Sequence, residues 1–274
     1  MRIIERTIAG TDGTEARFTG YVIDNSPEMD PDRRRPAILI LPGGAYAMTS
    51  DRESEPIALR FAAEGFQTFV LRYSCAPSRY PVALLEAAEA MRLIRANADA
   101  WHVDASRVAV IGFSAGGHLA ADLATSAGDA ALTAHGIEPA QVKPDALMLS
   151  YPVITAGKFA HRRSISTLLG ADRRHDAAML DEVSIERHID ATTPPVFVWH
   201  TMTDETVPVE NTLMLVGACR AAGVSVEAHL FPEGRHGLSL GTEETARAGS
   251  TDNVVPCLQI WPRLAVDWLR RTFA

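Results

Sequence analysis

The stretch from Arg107 to Ala121 constrains the fold more than any other. A continuous apolar run, Arg107-Val108-Ala109-Val110-Ile111, breaks at Gly112-Phe113-Ser114-Ala115-Gly116 and resumes as the alanine-rich Gly117-His118-Leu119-Ala120-Ala121. The order predicts a buried strand, a sharp turn and a helix. Ser114 falls at the turn, where its hydroxyl is pushed clear of the backbone. Gly112 and Gly116 fall where a Cβ would collide as strand and helix close on each other. This is the G-x-S-x-G arrangement that presents a serine nucleophile at the top of a sheet.

The surrounding pattern supports a parallel sheet covered on both faces. From about residue 36 onward short β-type runs alternate with helical ones. Ala37–Leu41 is an apolar strand stopped by Pro42-Gly43-Gly44, and a helix carrying Ile57, Ala58, Leu59, Phe61 and Ala62 ends near Gly65. Phe66–Leu71 is the next strand. Pro81 opens a long helix with Leu84, Leu85, Ala88, Met91, Leu93 and Ile94 at helical spacing. After the Ser114 turn, Ala146–Tyr151, Val196–His200 and Val224–Phe231 read as strands, with a helix through Leu213–Cys219 and a closing helix over Trp261–Leu269. The first 25 or so residues alternate in places and predict antiparallel edge strands. The fold class is therefore α/β, and 274 residues suit one domain, 1–274. Residues 155–194 form an insertion with helical fragments near Ser164–Leu169 and Ala177–Val183, placed to act as a small lid or as surface padding. The folds of that insertion and of residues 238–256 are not legible from pattern.

A serine hydroxyl needs a base in hydrogen-bond reach, and the base needs a carboxylate to fix its tautomer. Asp204 follows the strand Val196–His200, and His236 follows the strand ending at Phe231 in Pro232-Glu233-Gly234-Arg235-His236-Gly237. Both are expected at the edge of the sheet that carries Ser114, where ligand sites form in such sheets. Glu205 and Asp190 are the rival acids. His118, one helical turn past Ser114, reads as a packing or supporting residue, and His200, at a strand end, as a core histidine. The amide of Ala115 and those of the loop Pro42-Gly43-Gly44-Ala45-Tyr46 are candidates to hold an oxyanion, with Gly43 and Gly44 supplying the loop donors. Tyr46 is a candidate to line the substrate pocket.

Other chemistries find no support. A formal net charge of −8 without a basic stripe argues against nucleic acid, and Arg33-Arg34-Arg35 reads as a solvated loop. There is no Walker lysine or GxGxxG, and no HExxH or paired cysteines, so neither cofactor nor metal is expected. No apolar run approaches the roughly 18 residues that cross a membrane. With no leader-like N-terminus and three scattered cysteines (Cys75, Cys219, Cys257), the expected setting is the cytoplasm. A homo-oligomer stays open.

Leu41-Pro42-Gly43-Gly44-Ala45-Tyr46, Gly112–Ala120, and the placement of Asp204 and His236 resemble the α/β-hydrolase superfamily. More closely the chain is similar to bacterial esterases related to hormone-sensitive lipase and to acetylxylan-esterase-like proteins. Ser150-Tyr151-Pro152-Val153 and Phe231–Gly237 carry the same likeness. The resemblance implies a cofactor-free serine esterase acting on a small ester, with acetyl groups on a sugar or xylo-oligosaccharide as the leading substrate. An amide hydrolase with the same residues and an inactive binding protein of this fold are the alternatives. Two departures stand out. Pro42 occupies the place where those relatives carry a histidine, so the glycine loop must be supported differently. Few residues precede Pro36, so a full N-terminal cap is not expected, which implies an open, shallow pocket for short acyl groups.

Overall fold

The computed structural model describes all residues, 1–274. Its centre is one eight-stranded sheet in the order β1-β2-β4-β3-β5-β6-β7-β8. The strands are β1 Arg2–Ala9, β2 Glu15–Val22, β3 Arg35–Leu41, β4 Gln67–Arg72, β5 Val103–Phe113, β6 Ala146–Ser150, β7 Val196–Thr201 and β8 Val226–Phe231. β1 and β2 are antiparallel to their neighbours, and every pair from β4 to β8 is parallel. The antiparallel edge expected for the first 25 residues is present. So is the mostly parallel sheet.

The pattern follows from burial. Ala37–Leu41 and Val108–Phe113 are buried on both faces, as continuous apolar runs in a parallel sheet must be. β8, at the far edge, alternates between half-buried and exposed residues. Helices fill both faces: α1 Glu55–Ala62, α2 Val82–Ala96, α3 Ala115–Ala124, α4 Asp129–Ala134, α5 Pro139–Val142, α6 Arg162–Leu169, α7 Ala177–Glu182, α8 Glu210–Ala222 and α9 Trp261–Thr272. One core lies beneath α2, α3 and α8, with Leu84, Met91, Leu119, Leu123 and Leu215 packed on Leu39, Val110 and Val198. The other lies beneath α1 and α9, where Ile57, Phe61, Trp261, Ala265 and Leu269 meet Ile38, Ile111, Phe197 and Trp199.

Residues 155–194 contain α6 and α7 as the helical fragments predicted, and Ile165, Leu168, Leu169, Val183 and Ile185 are buried in the first core. Residues 238–256 are irregular, with Leu238 and Leu240 buried in the second core and a single helical turn at Glu243–Thr245. Both segments follow strands at their carboxyl ends and therefore overhang one edge of the sheet. That edge also receives the loops after β3, β5, β7 and β8. No helix is long and apolar enough to cross a membrane.

Candidate active site

β5 ends at Phe113 and α3 begins at Ala115, leaving Ser114 alone to reverse the chain. It does so with φ 52° and ψ −117°. A non-glycine residue at positive φ costs about 1–3 kcal/mol and persists only where its surroundings impose it. Here the Ser114 amide donates to Ser150 O at 3.0 Å and the Ser114 carbonyl accepts from Val153 and His118. The close approach needs both flanking glycines. A Cβ on Gly112 would lie 2.1 Å from the Gly116 carbonyl oxygen, and one on Gly116 would lie 2.1 Å from that of Leu41.

Three side chains from three strand ends meet at this edge. The Ser114 hydroxyl donates to His236 Nε2 at 2.7 Å, and His236 Nδ1 donates to Asp204 Oδ2 at 2.6 Å. The same Asp204 oxygen receives His200 Nε2 at 3.2 Å, while Oδ1 receives the amides of Thr206 and Val207, each at 2.9 Å. Burial pushes this carboxyl up, but the hydrogen bonds from His200, His236 and the Val207 amide outweigh it and hold Asp204 well below the ordinary carboxylate range. It is therefore a fixed anion facing the imidazole. Glu205 is exposed, and Asp190 is engaged by Thr192, so neither rival acid enters the chain.

His200 has a place in this network that strand position alone did not show. It is fully buried, and its Nε2 faces only acceptors, Asp204 Oδ2 and the Val207 carbonyl. Nε2 must therefore carry a proton, and Nδ1 is hydrogen-bonded to the Thr212 hydroxyl at 2.8 Å. The Tyr151 ring packs edge-on against His236 at 5.1 Å and against Trp199 at 5.0 Å, which fixes the plane of the imidazole.

The loop after β3 is held by three groups that take over from the histidine missing at Pro42. Tyr73 donates to the Pro42 carbonyl at 2.7 Å. Glu53 accepts from the Gly43 amide at 2.8 Å and from the Tyr151 hydroxyl at 2.6 Å, and that hydroxyl receives the Ser239 amide. Tyr46 donates to His118 Nδ1 at 2.8 Å, and His118 Nε2 donates to the Val183 carbonyl at 2.8 Å. Burial brings His118 down to about 4, so it is neutral at ordinary pH and accepts from Tyr46.

Two expectations for this loop need correction. The Gly43 amide is already bonded to the Glu53 carboxylate and does not face the pocket. The loop amides without an acceptor are those of Gly44, Ala45 and Tyr46, of which Gly44 and Ala45 border the cavity over Ser114, and the Ala115 amide is likewise unpartnered at the start of α3. Tyr46 does not line the pocket either. It is 3 % exposed and turned into the core, where its hydroxyl finds the buried His118. A tyrosine beside a glycine loop reads equally well as a pocket wall or a core anchor. The partner that decides between them lies 72 residues away.

A cavity of about 280 Å³ opens over Ser114 and His236. Its walls include Gly44, Ala45, Glu53, Thr206 and Gly237, and Ala45 and Met48 are its only apolar members. His161 and Arg163 reach it from the 155–194 segment and Arg247 from the 238–256 segment. Nothing in the local sequence of either segment marked them. A second, wholly polar recess of about 240 Å³ continues past His236, lined by Thr206, Arg235, Arg247, Ser250, Asp252 and Asn253.

The sheet order, the serine turn and the strand-end loops define an α/β-hydrolase. Solved structures of that fold superpose over nearly the whole chain. The carboxylesterase Cest-2923 from Lactobacillus plantarum WCFS1 does so with TM-score 0.87 and 32% identity, covering 99% of this chain and 98% of that one. An acetyl ester-xyloside bifunctional hydrolase from Caldicellulosiruptor lactoaceticus matches with TM-score 0.79 and 33% identity, over 94% of this chain and 88% of that one. The chain belongs to the BD-FAE family, whose model matches residues 26–218. Among curated proteins, the Endo-1,4-beta-xylanase B of Butyrivibrio fibrisolvens is 35% identical over 78% of this chain, and the acetylxylan esterase of Xylanibacter ruminicola 28% identical over 75%. The match spans 34% and 42% of those two proteins' lengths.

Proposed function

We propose that this chain is a serine carboxylic ester hydrolase acting on short-chain esters, acetyl esters of a sugar or xylo-oligosaccharide foremost. The observation that carries the reading is the continuous relay from Ser114 through His236 to Asp204 inside one small cavity. His236 Nε2 takes the hydroxyl proton as Ser114 Oγ bonds to the ester carbonyl carbon. The carbonyl oxygen becomes an oxyanion held by the amides of Gly44, Ala45 and Ala115. His236, now imidazolium and stabilised by Asp204, passes the proton to the leaving alkoxide as the C–O bond breaks, leaving an acyl-Ser114 ester. Water then repeats the sequence, its proton going to His236 and back to Ser114 as the carboxylate departs.

The size and lining of the cavity favour a small acyl group and a polar alcohol over a long chain. The acetylxylan and acetyl ester-xyloside activities named for two relatives point the same way. Ser114→Ala is expected to abolish hydrolysis of p-nitrophenyl acetate and labelling by a fluorophosphonate while leaving the circular-dichroism spectrum intact. Turnover at the wild-type level would defeat the assignment. An acyl-chain series with a steep fall beyond butyrate supports the substrate class, and a preference for long chains overturns it.

A further inference from the structure

Charge at the mouth of the cavity runs against the charge of the chain. The protein carries 34 acidic and 26 basic residues, yet three arginines line the cavity against one buried carboxylate, Glu53. Arg52 is occupied, donating to the carbonyls of Thr245 and Gly237. Arg163 and Arg247 have no carboxylate within 4.0 Å and no side-chain hydrogen bond, although most other arginines of the chain are paired. Arg163 is also in the first turn of α6, where the helix dipole disfavours a cation, so it is not there for the stability of the helix. Burial foremost, with His236 and Arg163 adding to it and Asp204 opposing, holds the His161 imidazole below its ordinary value.

The direction of the chemistry places this charge. His236 delivers a proton to the departing oxygen, so the alcohol portion must run past His236. The recess on that side contains no apolar residue and shares Thr206, His236 and Arg247 with the main cavity. In the same recess Arg235 is neutralised by Asp252, which leaves Arg247 as its uncompensated cation.

We propose that Arg163 and Arg247 bind a carboxylate on the alcohol portion of the ester, so that the preferred substrate is the acyl ester of a hydroxy acid of the sugar-acid class. The inference rests on the esterase reading and narrows its substrate. Guanidinium forks suit a carboxylate, and Thr206, Ser250 and Asn253 offer neutral partners for neighbouring hydroxyls.

The test compares kcat/KM for 4-acetoxybenzoate and 4-acetoxybenzamide, each normalised to its hydroxide-catalysed rate, with acetylated methyl glucuronoside against acetylated methyl glucoside as the sugar pair. At low ionic strength the anion of each pair is expected to be favoured about tenfold, the scale of two solvent-accessible ion pairs. The preference should shrink toward unity as salt screens it and disappear in the double variant Arg163→Gln, Arg247→Gln. The salt series on the unaltered protein stands even if a variant folds poorly. Turnover of both esters without charge preference, or a preference insensitive to salt and to the double variant, overturns this proposal and leaves the esterase reading intact. Turnover of neither overturns both.

Discussion

Glu53 offers the sharpest test of how the loop after β3 is held. Its two carboxylate oxygens receive one backbone amide, Gly43, and one buried hydroxyl, Tyr151. Glu53→Ala leaves both donors without their acceptor, and both are buried, Tyr151 being 1 % exposed. At about 2 kcal/mol for each buried group left unpaired, the expected loss of stability is about 4 kcal/mol. Glu53→Gln keeps an oxygen for Gly43 and turns its amide toward Tyr151 Oη, which already receives the Ser239 amide and has a second lone pair. Only the tyrosine proton is then stranded, so the loss should be about 2 kcal/mol. The same bonds hold Gly44 and Ala45 in position, so kcat on p-nitrophenyl acetate should fall by about tenfold or more in the alanine variant. KM should change little, because an oxyanion exists only beyond the ground state. Urea unfolding and steady-state rates, read where each variant is fully folded, give both quantities. Wild-type kcat and an unchanged unfolding midpoint in Glu53→Ala would show that the loop is held by other means.

Three further outcomes follow from particular contacts. Asp204→Asn should lower kcat by about 10⁴-fold with the fold retained, because an amide nitrogen can replace the oxygen that His236 needs and reverse its tautomer; residual activity above a tenth of wild type would contradict this. Gly116→Ala should cost about 3 kcal/mol or more, or prevent folding, since its Cβ meets the Leu41 carbonyl at 2.1 Å; an unchanged melting temperature would contradict the packing. His118 is held at about 4 against an ordinary value of 6.5. Between those values the unfolded chain takes up a proton that the native state refuses, so the stability present above pH 6.5 drains away as pH falls to about 4. The drop is about 3 kcal/mol. The advantage of wild type over His118→Asn in urea unfolding should therefore shrink by about that amount between pH 7 and pH 4, and parallel pH profiles would refute it.

Much of this was readable along the chain because it rests on local rules. Apolar runs of five or six residues between helical periods announce parallel strands, and the glycines around Ser114 announce a turn in which strand and helix touch. Parallel strands joined by helices all point one way, so residues just past β5, β7 and β8 must share an edge. That topological consequence is why Ser114, Asp204 and His236 could be named before their distances were known. Where the sequence misled, the deciding partner was remote. Gly43 and Tyr46 sit in a loop whose glycines mark it as special, but Glu53 claims the Gly43 amide and His118 claims the Tyr46 hydroxyl.

The covalent order of strands, turns and strand-end loops was thus enough to define the fold class and to place Ser114, Asp204 and His236 on one rim. Tertiary structure alone decided which amides remain free, that His200 shares the Asp204 carboxylate, and that Arg163 and Arg247, 84 positions apart, face the same cavity. The division has a physical cause. Periodicity and turn chemistry are properties of neighbours along the chain, whereas the pairing of buried polar groups depends on which distant donor and acceptor the packed core brings within 3 Å.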